Sequence, residues 1–299
     1  MKESSDTISP VLRPMKRFPE WLRRQIPAQS SGKTWGVLEK YRLNTVCESA
    51  LCPNRSECYS RKTATFMILG DRCTRRCGFC AIDTGAGETV ERDEPERVAR
   101  AAEELGLRYV VVTSVARDDL EDEGAGHFYE CIQALKSRIP GVEIEVLTPD
   151  FHAREELITR VCEAGPTVYN HNIETVERLQ RLVRPQAQYR RSLEVIAAVK
   201  RLFPQILTKS GLMLGLGEEE EEVLRTALDL RKAGCEILTL GQYLSPGERH
   251  LEVRKFVPPE VFQELADTIR QMGFGEVYAG PYVRSSFHAA ETFYSVRDV

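Results

Sequence analysis

The sequence predicts an α/β fold: a partial (β/α) barrel of about six βα units with N- and C-terminal extensions. Two observations predict it. Six apolar runs recur at roughly 30-residue spacing, and amphipathic helical patterns lie between them. The runs read as almost continuously apolar, as strands buried on both faces of a parallel sheet do. A barrel and an open doubly wound sheet both satisfy the pattern, and in either the active site lies at the C-terminal ends of the strands.

The expected strands are 64–69, 109–115, 143–147, 167–173, 206–214 and 237–244. Pro95 stands where a first helical turn accepts proline, and Val98, Ala102 and Leu105 follow on one face. Phe128, Cys131, Ile132 and Leu135 repeat the pattern, as do Leu193, Ile196 and Val199, then Val223, Leu224, Ala227 and Leu228. Val261, Phe262, Leu265, Ile269 and Met272 complete the series. Gly106, Gly165, Gly234 and Gly273 each follow a helix, where a left-handed cap is expected. Residues 1–60, punctuated by Pro10, Pro14, Pro19, Pro27 and Pro53, read as an irregular extension with at most a helical turn or two at 20–25. The barrel then takes 61–273, and 274–299 is a C-terminal segment.

Of 299 residues, 42% are hydrophobic and 29% charged, which describes a globular chain. The net charge of −4 argues against nucleic acid as a partner, because phosphate binding needs a basic surface. No apolar run approaches the roughly 20 residues of a membrane helix, so no membrane partner is expected. Met1–Pro10, with Lys2, Glu3 and Asp6, lacks the apolar segment of a secretory signal and the Arg-rich, acid-poor character of a mitochondrial presequence. The expected compartment is the cytoplasm.

The nine cysteines carry the chemistry. Six of them fall between Cys47 and Cys80, a clustering that points to metal binding rather than disulfides. The run Cys73-Thr-Arg-Arg-Cys77-Gly-Phe-Cys80 follows the first barrel strand directly. Three thiolates so close can hold three irons of a 4Fe-4S cluster and leave the fourth iron open to a small ligand. A zinc site short of one ligand, or three plain thiols, is the bland alternative. A second triplet, Cys47, Cys52 and Cys58, lies in the N-terminal extension, which has too little core to hold itself and gains from a metal centre. No histidine precedes His127, which weakens a zinc reading there. Cys131, Cys162 and Cys235 read as buried small residues.

The C-x3-C-x2-C run after a first strand resembles the radical S-adenosylmethionine superfamily. The resemblance implies that the open iron chelates the amino and carboxylate groups of S-adenosylmethionine, whose cleavage yields a 5′-deoxyadenosyl radical. It places Phe79 near the adenine. The two triplets together resemble the lipoyl synthase family, and the match runs along nearly the whole chain. It includes Pro14 to Arg23, Asn44 to Asn54, Thr113-Ser-Val with Arg117 to Leu120, Asn170 to Glu174, Leu214 to Gly217 and Leu240 to Leu244. Arg284-Ser-Ser-Phe-His-Ala289 matches that family's R-S-S-Y-x-A motif, with Phe287 in place of tyrosine.

The resemblance implies insertion of two sulfur atoms, at carbons 6 and 8, into a protein-bound octanoyl-lysine. Two 4Fe-4S clusters and S-adenosylmethionine serve as cofactors, and the auxiliary cluster on Cys47, Cys52 and Cys58 is the sacrificed sulfur source. Ser286, with Ser285 as the alternative, is its fourth ligand, and Arg284 accompanies it in the catalytic motif. Expected contacts to S-adenosylmethionine are Phe79, Thr113, Ser114, Asn172, Glu174 and Gly215, the last by close backbone approach. Implied partners are octanoylated lipoyl-carrier domains or the glycine-cleavage H protein, a low-potential electron donor, and an iron–sulfur assembly or carrier protein. Another radical S-adenosylmethionine sulfurtransferase with an auxiliary cluster, of the biotin-synthase type, is the alternative. The serine motif and the N-terminal triplet argue against it. A two-cluster electron carrier would ligate each cluster with four cysteines. Lys209 faces either the active site or the surface, and Glu218–Glu222 reads as a solvated helix start.

Overall fold

The computed structural model describes residues 18–23, 32–61 and 63–297. The N-terminal lead-in before Phe18 and the stretch 24–31, with Gln25, lie outside the described residues. After a 3-10 turn at Glu20–Leu22 come α1 (Gly32–Lys40), β1 (Asn44–Thr45), α2 (Val46–Ser49) and α3 (Arg55–Ser60). The repeating part follows as β2 (Thr65–Ile68), β3 (Arg72–Cys73), β4 (Asp83–Thr84), α4 (Glu94–Leu105), β5 (Tyr109–Ser114), α5 (Ala125–Arg138), β6 (Glu143–Leu147) and α6 (Glu155–Glu163). It continues as β7 (Val168–Asn170), α7 (Gln180–Val183), α8 (Tyr189–Leu202), β8 (Leu207–Leu214), α9 (Glu220–Lys232), β9 (Ile237–Gln242) and α10 (Pro259–Arg270). β10 (Glu276–Gly280) and α11 (Ala289–Arg297) come last.

The main sheet has the order β1-β2-β5-β6-β7-β8-β9-β10. All its neighbours are parallel except β1, which pairs antiparallel with β2 through Asn44↔Met67 and Thr45↔Phe66. All six expected strands are present within a few residues of their bounds, and the sheet does not close. Gly106, Gly165, Gly234 and Gly273 carry positive φ of 72, 72, 95 and 88° after their helices, as left-handed caps do.

Three parts differ from the sequence reading. The stretch from 32 to 60 is not irregular. Thr34 Oγ1 donates to the Tyr59 carbonyl (2.8 Å), and Thr45 Oγ1 meets the Tyr59 hydroxyl (2.8 Å), so α1, β1 and α3 are tied together. The buried face of α1 is only Thr34, Val37 and Leu38, too short to show as a long helical period. The segment after 273 contributes β10, parallel to β9, and α11, whose Phe293 ring lies 5.5 Å from that of Tyr109. α6 buries Leu157, Ile158, Val161 and Cys162, a stripe the sequence reading passed over.

The strands are buried on both faces, but the two faces differ in kind. Outward residues such as Val110, Val112, Ile144 and Val146 pack on Val98, Phe128 and Leu135 of α4 and α5. Leu212, Leu214, Leu238 and Leu240 pack on Val223, Ala227, Phe262 and Ile269 of α9 and α10. The inner face is polar. Lys209 Nζ lies 3.0 Å from Glu145 Oε2, and the two residues are 1% and 0% exposed. Tyr109 Oη (2.7 Å) and Asn170 Nδ2 (2.9 Å) also donate to that carboxylate. Lys209 is therefore neither a surface charge nor part of the cavity lining described below.

A buried pair of this kind is expensive to halve, because the survivor is left charged and uncompensated. Glu145→Ala is expected to destabilise the protein by about 3–5 kcal/mol, read from urea unfolding. Glu145→Leu with Lys209→Met is expected to recover most of that loss, and a double variant as unstable as the single one would contradict the assignment.

Candidate active site

The two cysteine triplets reach one place by two local devices. Pairing of β1 with β2 lays α2 and α3 beside the first barrel strand, and Leu51, with φ of +51°, turns the chain between them. Cys47 sits on α2, Cys58 on α3, and Cys52 in the turn, where its N–H donates to the Cys47 carbonyl (3.2 Å). The second triplet occupies a loop whose ends are joined by the parallel pair β3–β4, with Cys73 opposite Thr84. The backbone N–H groups of Arg75 (3.4 Å) and Ala116 (3.3 Å) donate to Cys73 Sγ.

Arg75 fastens this loop to two strand ends. It is 6% exposed, and its Nη2 lies 2.7 Å from Asp118 and 2.8 Å from Asp150, the latter fully buried. Arg191 reaches the other Asp150 oxygen at 3.4 Å. The guanidinium of Arg75 holds the Asp150 carboxyl well below the usual carboxylate range, against the opposing effect of burial.

A cavity of about 440 Å³ opens at the C-terminal ends of the strands, and all six clustered cysteines border it. Thr113 and Ser114 from β5, Asn172 and Glu174 after β7, Arg184, Arg284, Ser285, Ser286 and Phe79 border it as well. Burial pushes the thiols up, Cys47 and Cys77 to about 11 and Cys58 and Cys80 to about 12. Charged sulfurs within each triplet would also repel one another. Such thiols stay protonated near neutrality unless a metal takes them, and loading then releases protons. The donor set therefore suits two iron–sulfur centres, each with three protein thiolates.

Polar groups inside the cavity are left open to a ligand. Ser114 Oγ and Asn172 Oδ1 are buried and, among the described residues, have no hydrogen-bond partner. Asn172 Nδ2 donates to Glu174 Oε1 (3.0 Å) and to Ser285 Oγ (3.2 Å). Burial raises the Glu174 carboxyl, opposed by Arg184. Thr113 Oγ1 is taken up by the Leu147 carbonyl (2.8 Å).

Gly215 does not border the cavity. Its φ is +104°, and a β-carbon there would lie 2.2 Å from Gln242 Nε2 and 2.5 Å from the Lys255 carbonyl. Its carbonyl accepts the Arg254 N–H (2.8 Å), so packing at the strand end by itself requires a glycine here. The glycine that does border the cavity is Gly211, where a β-carbon would meet Asn172 Oδ1 at 2.8 Å and Thr239 Oγ1 at 3.0 Å. Its signal in the sequence is a glycine inside a strand. Sequence reasoning also missed Arg184, whose Nη1 donates to the Asn172 carbonyl (3.0 Å), and Asn54, whose Nδ2 donates to the Tyr282 carbonyl (2.7 Å). The Asn54 bond ties the N-terminal triplet to the chain leading into Arg284–Ser286. Glu218 turns back to the N–H of Leu216 (2.9 Å), and only the rest of the acidic run opens α9.

A family model described as the Radical SAM superfamily matches residues 67–230, and the chain is a member of that superfamily. The fold agrees. A maturase of the FeFe-hydrogenase superposes with a TM-score of 0.54 at 15% identity, over 89% of this chain and 67% of that one. Within the superfamily the chain belongs to the lipoyl synthase family. It is 55% identical to a lipoyl synthase of Rhodopirellula baltica, over 92% of this chain and 88% of the relative. It is also 55% identical to a protein named lipoyl synthase 2 of Gloeobacter violaceus, over 92% of this chain and 96% of the relative.

Anaerobic reconstitution is expected to give about eight irons per chain, and Cys47→Ala/Cys52→Ala/Cys58→Ala about four, as two 4Fe-4S centres require. Iron and sulfide analysis checks this. A single cluster in the wild type, or zinc in place of iron, would remove one of the two centres.

Proposed function

We propose that the chain makes the lipoyl group in place, by inserting two sulfur atoms at carbons 6 and 8 of an octanoyl-lysine carried on a protein. The observation that carries this reading is the single cavity bordered by both cysteine triplets, with Ser285 and Ser286 on the same wall. Membership of the lipoyl synthase family supports it. Carbons 6 and 8 of a saturated chain bear C–H bonds that no side-chain base can ionise. S-adenosylmethionine bound at an iron–sulfur centre supplies the radical hydrogen abstraction that such bonds require.

The residues divide the work. Cys73, Cys77 and Cys80 would hold the radical-generating cluster, and Arg75 keeps their loop in register with Asp118 and Asp150. Ser114 Oγ, Asn172 Oδ1 and Glu174 offer acceptors for the polar end of S-adenosylmethionine, and Phe79 an aromatic face. Cys47, Cys52 and Cys58 would hold the auxiliary cluster whose sulfur is transferred. Ser286 suits its fourth position better than Ser285. The Ser285 hydroxyl is engaged by Asn172, whereas Ser286 Oγ has no hydrogen bond among the described residues. An alkoxide is a harder ligand than thiolate and easier to displace from iron, which favours sulfur release. Phe287, 7% exposed, is held by its ring contact with His288 at 4.2 Å, so the missing tyrosine hydroxyl leaves the motif packed.

The substrate arm enters from a carrier, a lipoyl-carrier domain or the glycine-cleavage H protein. An iron–sulfur assembly or carrier protein must rebuild the auxiliary cluster between turnovers. All nine cysteines are free, which suits a reducing compartment such as the cytoplasm. No helix among the described residues is long and apolar enough to cross a membrane.

Ser286→Cys is expected to keep its iron while forming markedly less lipoyl product from an octanoyl-lysine peptide, read by mass spectrometry. Undiminished product from that variant would refute the serine's role.

A further inference from the structure

The Cys73–Cys80 loop has a second side, facing away from the cavity. There the Gly78 N–H donates to the Val183 carbonyl (2.9 Å), and the Leu251 N–H donates to the Gly78 carbonyl (3.0 Å). The Arg76 N–H donates to Gln186 Oε1 (2.6 Å), and His250 Nε2 lies 3.1 Å from the Cys80 carbonyl. This cover is thin. A β-carbon on Gly78 would already lie 3.0 Å from Leu251 and 3.3 Å from the Leu182 carbonyl, yet the Leu182 side chain is 56% exposed. Cys77 and Cys80 border the cavity, whereas Arg76, Gly78, Arg181, Leu182, Arg249 and Leu251 do not.

The cover is basic in an acidic chain. Residues 72–80 contain three arginines and no acid, and residues 178–191 contain five arginines and no acid, against a net charge of −4 overall. Several of these are occupied. Arg75 and Arg191 sit on Asp150, Arg178 on Glu222, and Arg184 on backbone carbonyls, while Arg190 faces Glu177 at 3.7 Å. Arg76, Arg181 and Arg249 are exposed and make no ion pair among the described residues, with Glu248 the acid next to Arg249 in the chain. Some exposed cations elsewhere, such as Lys40, Arg100, Arg201 and Arg270, find carboxylates among the described residues and others, such as Arg108 and Lys232, do not, so it is the grouping of three unpaired arginines around an exposed leucine at the cysteine loop that marks this face.

We infer that the face formed by Arg76, Arg181, Leu182 and Arg249 is the docking surface of an acidic one-electron carrier protein that reduces the cluster held by Cys73, Cys77 and Cys80. An exposed leucine among unmatched arginines fits a small apolar contact with an acidic rim, the arrangement that steers a charged partner into register. Its place on the far side of the loop favours electron delivery over acyl delivery, because an acyl chain must enter the cavity itself. Each encounter moves one electron: the carrier is oxidised by one and the centre on the three cysteines is reduced by one. The inference rests on the radical cluster of the proposed function, but not on sulfur insertion.

The test uses the holoprotein with both clusters and no acyl substrate. Cluster reduction is followed by electron paramagnetic resonance, with a photoreduced flavodoxin or with dithionite as reductant. Arg181→Glu/Arg249→Glu is expected to slow reduction by flavodoxin about tenfold or more and to weaken its salt dependence. Its iron content and its reduction by dithionite should not change. Arg181→Lys/Arg249→Lys keeps the charge and should keep the flavodoxin rate. Equal flavodoxin rates in wild type and the Glu variant would overturn the inference, and so would loss of rate in the Lys variant. A variant reduced normally by flavodoxin but with a raised KM for an octanoylated carrier domain, under dithionite, would assign the face to the acyl carrier instead. Because reduction is read without substrate, its outcome is separate from whether lipoyl product forms.

Discussion

The guanidinium of Arg75 is the interaction on which the catalytic end depends. It lies between two cysteines of one triplet, and it is held by carboxylates that follow β5 and β6. A loop of eight residues with three thiols has little apolar surface to fix its shape. Buried charge does so instead, at a steep desolvation cost that only full pairing offsets. Asp118 also accepts from Thr74 Oγ1 (3.0 Å), and Asp150 from the His152 N–H (3.1 Å), so each carboxylate has a further partner. The geometry at Cys73–Cys80 is thereby referred to the rigid strands and not to the loop.

The same logic runs through the inner face of the sheet. Apolar side chains point outward into helices, and polar ones point inward. In the middle of the sheet Glu145 accepts from Lys209, Tyr109 and Asn170, and α11 lays Phe293 against Tyr109. At the C-terminal end Ser114 and Asn172 keep buried polar atoms unmatched. The charged network is thus spent on structure, and the unmatched atoms that border the cavity, Ser114 Oγ and Asn172 Oδ1, are the ones open to a ligand. The C-terminal segment serves both, since β10 completes the sheet edge and the chain after it carries Ser285 and Ser286 to the cavity wall.

What was legible in the sequence was what is local. Cysteine spacing, the six apolar runs and the capping glycines each depend on neighbours a few residues away. What escaped depends on distant partners. Lys209 meets Glu145 across 64 positions, and Asn54 meets Tyr282 across 228, so neither pairing leaves a periodic trace. For Gly215 a glycine at a strand end has two causes, ligand approach and packing, and the packing against Gln242 and Lys255 is visible only once the strands are placed together. α1 was missed because two turns with three buried residues look like loop until Tyr59 is placed against them.

The central claim is that two iron–sulfur centres share one cavity so that one can give its sulfur to a chain activated by the other. Reconstitution with heavy-isotope sulfide, removal of free sulfide and a single turnover on an octanoyl-lysine peptide in the presence of ordinary sulfide tests it most directly. The account predicts that both sulfur atoms of the lipoyl product carry the heavy isotope. A product with light sulfur would show that the sulfur comes from solution and contradict the account.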